Sequence, residues 1–522
     1  MTEHTPQQQP TELEYQFHRP WDHQASFTDA LANQMRMAPY FLASLALHAL
    51  IGLLFAGVEV LTPEENKTQI EVLAPPPPPP IEEPEEPPPP PEEKVIEEPV
   101  LEEADIVEEA VTQETLEETG DPNFTSDAPF DNSAWNNAVG LGGGAGGKSG
   151  IRGGRGGARR GTPTEAAVED ALKWLADHQT EDGYWDCDEF FYWDKIKEEP
   201  PSDGPGNAVN DVGVTGLALL AFLGHGDTMS TGAYADQVRR GINWLRDVQL
   251  DNGLFGDEVG NPTLYNHSIA TMAMGEAYFF GKSPILKPVL EKAVKVIVNS
   301  RNPYLAWRYQ LEPNGDNDTS ITGWMVFALE TAKDGGIPVS KDVFDGAEAW
   351  FAQITDDNGR SGYTLEAGVG SRPSRKQIYL SRFPPDKSEA LTAVALLCRI
   401  FMTPEGATDF KAHPQYEVMK KQADLISKTL PLWDEAGGSI DFYYWYYATF
   451  AMYQWGDKAW QNWKTAIEKA LLPHQRKDGN FKGSWDPQFE PWGDEGGRVY
   501  TTALGAIILE VYYRYAPILG AR

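Results

Sequence analysis

Five apolar stretches of this chain begin on or beside a side chain that can move a proton or hold a charge. Asp211 precedes VGVTGLALLAFLG, His267 lies near the start of YNHSIATMAMGEAYFF, and Asp318 opens DTSITGWMVFALETA. Glu389 lies in SEALTAVALLCRIF, and Asp441 opens DFYYWYYATFAMYQW. Asp318 is the candidate catalytic acid, because a carboxyl heading a buried helix can serve as a general acid. An aspartate ahead of Thr319 and a helical run is also a favoured N-cap, worth about 1 kcal/mol. Asp211 stands in the equivalent place before its own apolar run, which supports capping in both.

A second group of residues could form a mouth. The segment from Ser361 to Lys387 carries Arg372, Arg375, Lys376, Tyr379 and Arg382, while Tyr265, Trp324, Tyr443, Trp445, Tyr447 and Tyr500 recur on the apolar runs. Such aromatics line cavities and hold apolar or cationic ligands, or else they are plain core. The candidate mouth residues are therefore Asp211, His267, Asp318, Arg372, Arg375, Arg382, Trp324 and Trp445, with an apolar ligand or a protein partner expected there. No metal or other cofactor is expected. Cys187 and Cys398 are the only cysteines, and His267 has no cysteine partner with which to hold zinc. A formal charge of -35 excludes nucleic acid as a general partner, since phosphate binding needs clustered cations.

The elements that must position these groups repeat along the chain. ALKWLADHQTEDGYWD around Trp174 recurs as GINWLRDVQLDNGLFGD, as AVKVIVNSRNPYLAW, as AEAWFAQITDDNGRSGY and as AIEKALLPHQRKDGNFKGSW; QADLISKTLPLWDEAGGS is the most degenerate copy. Each reads as an amphipathic helix ending in a turn, with Gly183, Gly253, Gly359 and Gly479 where positive φ is needed and with Trp185 or Phe255 folding back over the helix end. The apolar runs between them start 53, 53, 70, 53 and 58 residues apart. Helices apolar on most faces are buried between layers. Six pairs of this kind predict an all-α fold, an (α/α)6 toroid over residues 161–522 with its inner helices beginning at one end.

These turns resemble the Q-W repeats of the squalene-cyclase and protein-prenyltransferase superfamily, over about residues 163–517. The resemblance implies the toroid, and for cyclases a proton donor in an Asp-x-Asp-Asp-Thr-Ala motif. The nearest segment is NGDNDTSITGW: Asp318 matches the last aspartate, but Asn317 stands where the donor belongs and Gly315 replaces the first acid. An amide cannot deliver that proton. Prenyltransferases hold zinc with Asp, Cys and His, and no such set can be assembled from Cys187 or Cys398. Three readings therefore stand: a binding or scaffolding toroid, an isoprenoid-processing enzyme with Asp318 as a non-standard acid, or a surface-interaction domain that resembles the thioester domains of complement relatives without their Cys-Gly-Glu-Gln motif.

Residues 38–60 are expected to form a transmembrane helix, because Ala38 to Val58 is a run of 21 residues without formal charge. Arg19 and Arg36 precede it, and Glu59, Glu64 and Glu65 follow. That asymmetry places residues 1–37 in the cytoplasm and the rest outside it, across the inner membrane in the periplasm. Residues 61–160 read as a disordered linker, first PPPPPPIEEPEEPPPPPEE, a stiff self-repelling spacer, then a Gly/Arg-rich stretch. Within the span Ser44 and His48 lie one helical turn apart on one face, where ionisable groups usually meet a protein partner. Span and spacer resemble TonB-type energy transducers, which implies contact with an ExbB/ExbD-like proton-channel complex. The alternative is a lone histidine in a plain lipid anchor.

Overall fold

Apolar residues three and four apart put Ala167, Val168, Ala171, Leu172, Trp174 and Leu175 on one buried face of α1 (Pro163–Asp177). The same half-apolar pattern builds α3 (Ala235–Asp247), α5 (Leu286–Asn299), α7 (Lys341–Ile354), α10 (Tyr416–Lys428) and α12 (Asp457–Leu471). Between them stand helices buried nearly all round. These are α2 (Asp211–His225), α4 (Pro262–Gly281), α6 (Thr319–Asp334), α9 (Ala390–Phe401), α11 (Phe442–Trp455) and α13 (Gly493–Leu509). A short α8 spans Gln377–Arg382. The computed structural model describes residues 163–366, 372, 377–403 and 413–511. The expectations for the anchor, the linker, Ser44, His48 and Arg375 lie outside the described residues.

Each fully buried helix packs on the next, from α2 through α4, α6, α9 and α11 to α13, and α13 returns to α2. The six amphipathic helices stand outside this closed ring, each against its inner neighbours. This is the (α/α)6 toroid that the repeat spacing predicts. Among the described residues there is no strand longer than an isolated bridge, and both bridges lie in repeat turns. The stretch Ala208–His225 is long and apolar enough to cross a membrane, but it is largely buried in the ring as α2.

The repeat turn stitches each outer helix to the next. Gln179 Nε2 donates to Gly183 O at 2.6 Å and to Gln237 O, before α3's second turn, at 2.9 Å. Gln249 does the same to Gly253 O and to Val289 O of α5. Gln475 donates to Gly483 O and, in closing the circle, to Ala167 O of α1. Indole N–H groups fold back as expected: Trp185 donates to Leu175 O, Trp307 to Ile297 O and Trp485 to Leu471 O, at 2.7–2.9 Å. Each thereby gives a second donor to a carbonyl at an outer helix's C-terminal end, which also accepts from His178 N, Ser300 Oγ or Gln475 N respectively.

One position needs correction. Gly479 does have positive φ, but the role that Gly183 plays against the next outer helix falls to Gly483, whose φ is +98° and whose Cα faces Asp170 O. Four extra residues separate Gln475 from its turn carbonyl, so the bond spans eight positions instead of four.

Candidate ligand site at the mouth of the inner ring

Because the inner helices alternate with outer ones, all six begin at the same end. Their first turns do converge, and most of the charged groups there fasten the preceding repeat turn. Asp211 Oδ1 accepts from Cys187 N at 2.8 Å, Thr215 Oγ1 accepts from Trp185 N, and His267 Nδ1 accepts from Phe255 N at 3.1 Å. Since His267 Nε2 donates to Ala293 O, its ring is held as the neutral tautomer, and burial pushes its pKa down to about 4. Glu389 pairs with Arg360 at 2.6 Å. Arg498 pairs with Asp203 and Asp486.

Asp441 caps α11 by accepting from Tyr444 N and pairs with Arg372 at 3.0 Å. Arg372 also donates to Pro384 O and Gly438 O, so it is a buried clasp between segments. Near them Glu490 is buried, and burial together with the Asp441 carboxylate raises its pKa well above the usual range.

Asp318 is different. It caps α6, with Oδ1 accepting from Ser320 N at 2.7 Å and from Ile321 N at 3.3 Å, as the sequence implies. Its other oxygen accepts from the Tyr309 hydroxyl at 2.5 Å and from Arg308 at 3.1 Å. Asp318 is fully buried, and burial pushes its pKa up to about 6 against the opposing pull of Ser320 and Arg308. Two hydroxyl paths lead away from it: Tyr309 bonds Tyr363, and Ser320 Oγ, which donates to Oδ1 at 2.6 Å, meets the Tyr265 hydroxyl at 2.6 Å.

Tyr265, Tyr309 and Tyr363 are also walls of a cavity of about 620 Å³ at this end of the ring. The inner helices α2, α4, α6, α11 and α13 contribute Gly213, Val214, Leu217, Ile269, Trp324, Tyr443 and Tyr500, and the entry loops contribute Asn207, Asn210, Asn261 and Trp492. A ligand there would meet seven aromatic side chains, a few amides and the carboxylate of Glu495. Concave, mainly apolar walls with a few convergent polar groups are the usual form of a small-molecule site.

A larger groove of about 1030 Å³ lies between α1 and α3, but its wall alternates Lys173, Lys195, Lys197 and Arg240 with Asp177, Glu181, Asp182 and Asp194 on the outside of the ring. Two of these bases are already spent, Lys173 on Asp177 and Arg240 on Gln179 and Thr180 O. The inner cavity is the better candidate because its polar groups converge and most of its wall is carried by the inner helices.

Of the mouth residues proposed from sequence, Trp324 lines the cavity and Asp318 lies one hydroxyl behind its wall. The others among the described residues do not line it. Asp211, His267 and Arg372 fasten turns and segments, and Arg382 bonds Gln488 O. Trp445 packs in the core against Phe442 and Trp433, and its Nε1 has no hydrogen-bond partner among the described residues. Tyr309, Tyr363, Trp492 and the asparagines were missed, since they come from loops that carry no periodic signal. The carboxylates of Asp186, Asp188 and Asp211 also approach within 4.8 Å of one another, a cluster that the sequence reading did not foresee. Asp186 Oδ1 there accepts from the Asp188 and Glu189 amides, and burial pushes Asp211 up to about 7.

No protein-family model matches the chain. No curated sequence relative was found either. Solved structures with a similar course include a type II terpene cyclase from Scytonema in complex with merosterolic acid A, at 12% identity and TM-score 0.42, covering 68% of this chain and 98% of that one. An alpha-1,6-mannanase of Salegentibacter is 10% identical, with TM-score 0.43 and coverages of 67% and 99%. A novel alpha-amylase from Clostridium perfringens is 12% identical, with TM-score 0.41 and coverages of 68% and 99%. At such identities and scores none of them bears on what this chain binds.

Proposed function

We propose that the toroid is a binding module whose ligand enters the aromatic cavity at the N-terminal end of the inner ring. The observation that carries this reading is the cavity itself: about 620 Å³, walled by five inner helices and their entry loops, with aromatic side chains from four of those helices and the loops. In this reading residues 38–60 anchor the chain in the inner membrane. The spacer then holds the toroid in the periplasm, and Ser44 and His48 meet an ExbB/ExbD-like complex. The charge asymmetry around the span and the Pro/Glu-rich tether support that arrangement.

Filling the cavity tests the module. Ile269 and Val214 line it from neighbouring helices, so Ile269→Trp and Val214→Phe should each abolish calorimetric binding of a small neutral probe, 4-tert-butylphenol, with the melting curve retained. Binding undiminished in both folded variants would reject the site. For the tether, alkaline phosphatase fused after Gly161 should be active, and His48→Ala should abolish crosslinking to the channel complex while insertion persists. An inactive fusion would reject the topology.

A second reading is supported by the two hydroxyl paths from the cavity wall to Asp318: an enzyme in which Asp318, protonated below about pH 6, delivers its proton through Tyr309. Incubation with squalene and with prenyl diphosphates, followed by mass spectrometry, separates the two. The binding reading expects no product, and a cyclised product lost in Asp318→Asn would replace it with the enzymatic one.

A further inference from the structure

The charge on the cavity wall is one-sided. Among the described residues that line it, no lysine, arginine or histidine occurs, and the one carboxylate is that of Glu495. An anionic ligand such as a prenyl diphosphate would find no cation among these described wall residues. Helix N-termini attract anions through their open N–H groups. At α6 and α11, however, those groups already point at the carboxylates of Asp318 and Asp441. At those two helices that attraction is therefore spent inside the protein.

The rings do not form a flat platform. Tyr265 and Tyr309 are inclined by 37° with centroids 5.8 Å apart, and Tyr443 and Trp492 by 60° at 6.1 Å. Faces set at such angles around a cavity make a cage, the arrangement in which ring quadrupoles attract one cation from several sides. The wall already holds a cation in this way from behind: the Arg308 guanidinium stands 4.4 Å from the Tyr309 ring centroid and 5.2 Å from that of Tyr363. Its charge is answered by Asp318, so it does not repel a second cation as a lone arginine would.

We infer that the ligand of this cavity is an organic cation, an alkylated ammonium group joined to an apolar body, with the ammonium among the rings of Tyr265, Tyr443 and Trp492 and its charge facing Glu495. This rests on the reading of the cavity as a binding site. A neutral ligand of the same shape would gain the apolar burial and lose the cation-π attraction, and that difference can be measured.

The test uses the full chain and two probes of equal shape, (4-hydroxyphenyl)trimethylammonium and 4-tert-butylphenol, titrated calorimetrically. The ammonium probe should bind at least about 10-fold more tightly, the scale of a desolvated cation-π contact. Glu495→Gln should weaken the ammonium probe about 3-fold or more relative to the neutral probe. Trp492→Leu, at a ring of the cage, should narrow the preference. Equal affinity for the two probes, or tighter binding of the neutral one, overturns the inference and leaves the binding module standing. If neither probe binds, the binding module falls and the inference with it.

Discussion

Gln475 Nε2 donates to the carbonyl oxygen of Ala167, 308 positions earlier in the chain, at 2.7 Å. This bond joins the last repeat turn to the first outer helix, so the same glutamine that links consecutive repeats elsewhere closes the ring. Gln475→Ala would leave the buried acceptors on Ala167 and Gly483 without this donor, at a cost of about 1–3 kcal/mol. Gln249→Ala, within the circle, should cost a similar amount. Denaturant unfolding of both variants checks this, and no change in either would mean that the glutamines only decorate the turns.

Gly483 and Gly479 should respond differently to a methyl group. A Cβ at Gly483 would stand 2.1 Å from the backbone oxygen of Asp170, at a φ of +98°, and backbone in α1 cannot swing aside. At Gly479 the nearest atom is the carboxylate end of Glu199, which can move. Gly483→Ala should therefore destabilise by more than about 2 kcal/mol and Gly479→Ala by about 1, chiefly from the positive φ. The reverse order in thermal melts would contradict the assignment of Gly483 to the stitching position.

How far the sequence was legible can be judged from these two glycines. The motif Gln-x-x-Asp-Gly-x-aromatic reports its own geometry, because a glutamine that spans a turn, a glycine at positive φ and an indole over a helix end are local requirements. They revealed the repeat, the ring and its mouth. An insertion inside the last copy moved the glycine by four residues, and local pattern favours Gly479, which follows Asp478 and precedes Phe481 as the motif requires, over Gly483, which follows Lys482 and precedes Trp485. The site was less legible for two physical reasons. On α11 nearly every position is aromatic or apolar, so Tyr443 on the cavity and Trp445 in the core look alike in FYYWYYATF. Part of the wall also comes from loops, such as Tyr309, Tyr363 and Trp492, whose position depends on the closed ring.

Glu490 should make the fold more stable in acid. Burial beside Asp441 raises its folded pKa well above the unfolded value near 4.5, so the folded carboxyl stays protonated while the unfolded one ionises. The stability it contributes is fully present below that unfolded value and is lost as pH rises toward the folded one. Glu490→Gln keeps a neutral side chain of the same shape, and should gain stability over the wild type as pH rises from about 4.5 to 7. A constant difference across that range would show that Glu490 is ionised in the folded chain.

Asp318 should titrate late for a carboxyl. Its folded pKa of about 6 lies above the ordinary 3.8, so its contribution falls between pH 4 and 6 by roughly 3 kcal/mol, two pKa units at about 1.4 kcal/mol each. Asp318→Asn should be least disadvantaged at the upper end of that window. A side-chain carboxyl resonance titrating near 4 would instead mean that Arg308 and the capping amides outweigh burial.

The central claim is that the cavity walled by Tyr265, Trp324 and Tyr443 is where this toroid takes its ligand. The most direct measurement is a crystal structure of the full chain grown with (4-hydroxyphenyl)trimethylammonium, its position fixed from difference density. The account predicts one molecule inside the ring, in contact with those three side chains and with Glu495. Density for the probe only in the outer groove beside Tyr184 and Arg240, with the inner cavity holding solvent alone, would contradict it.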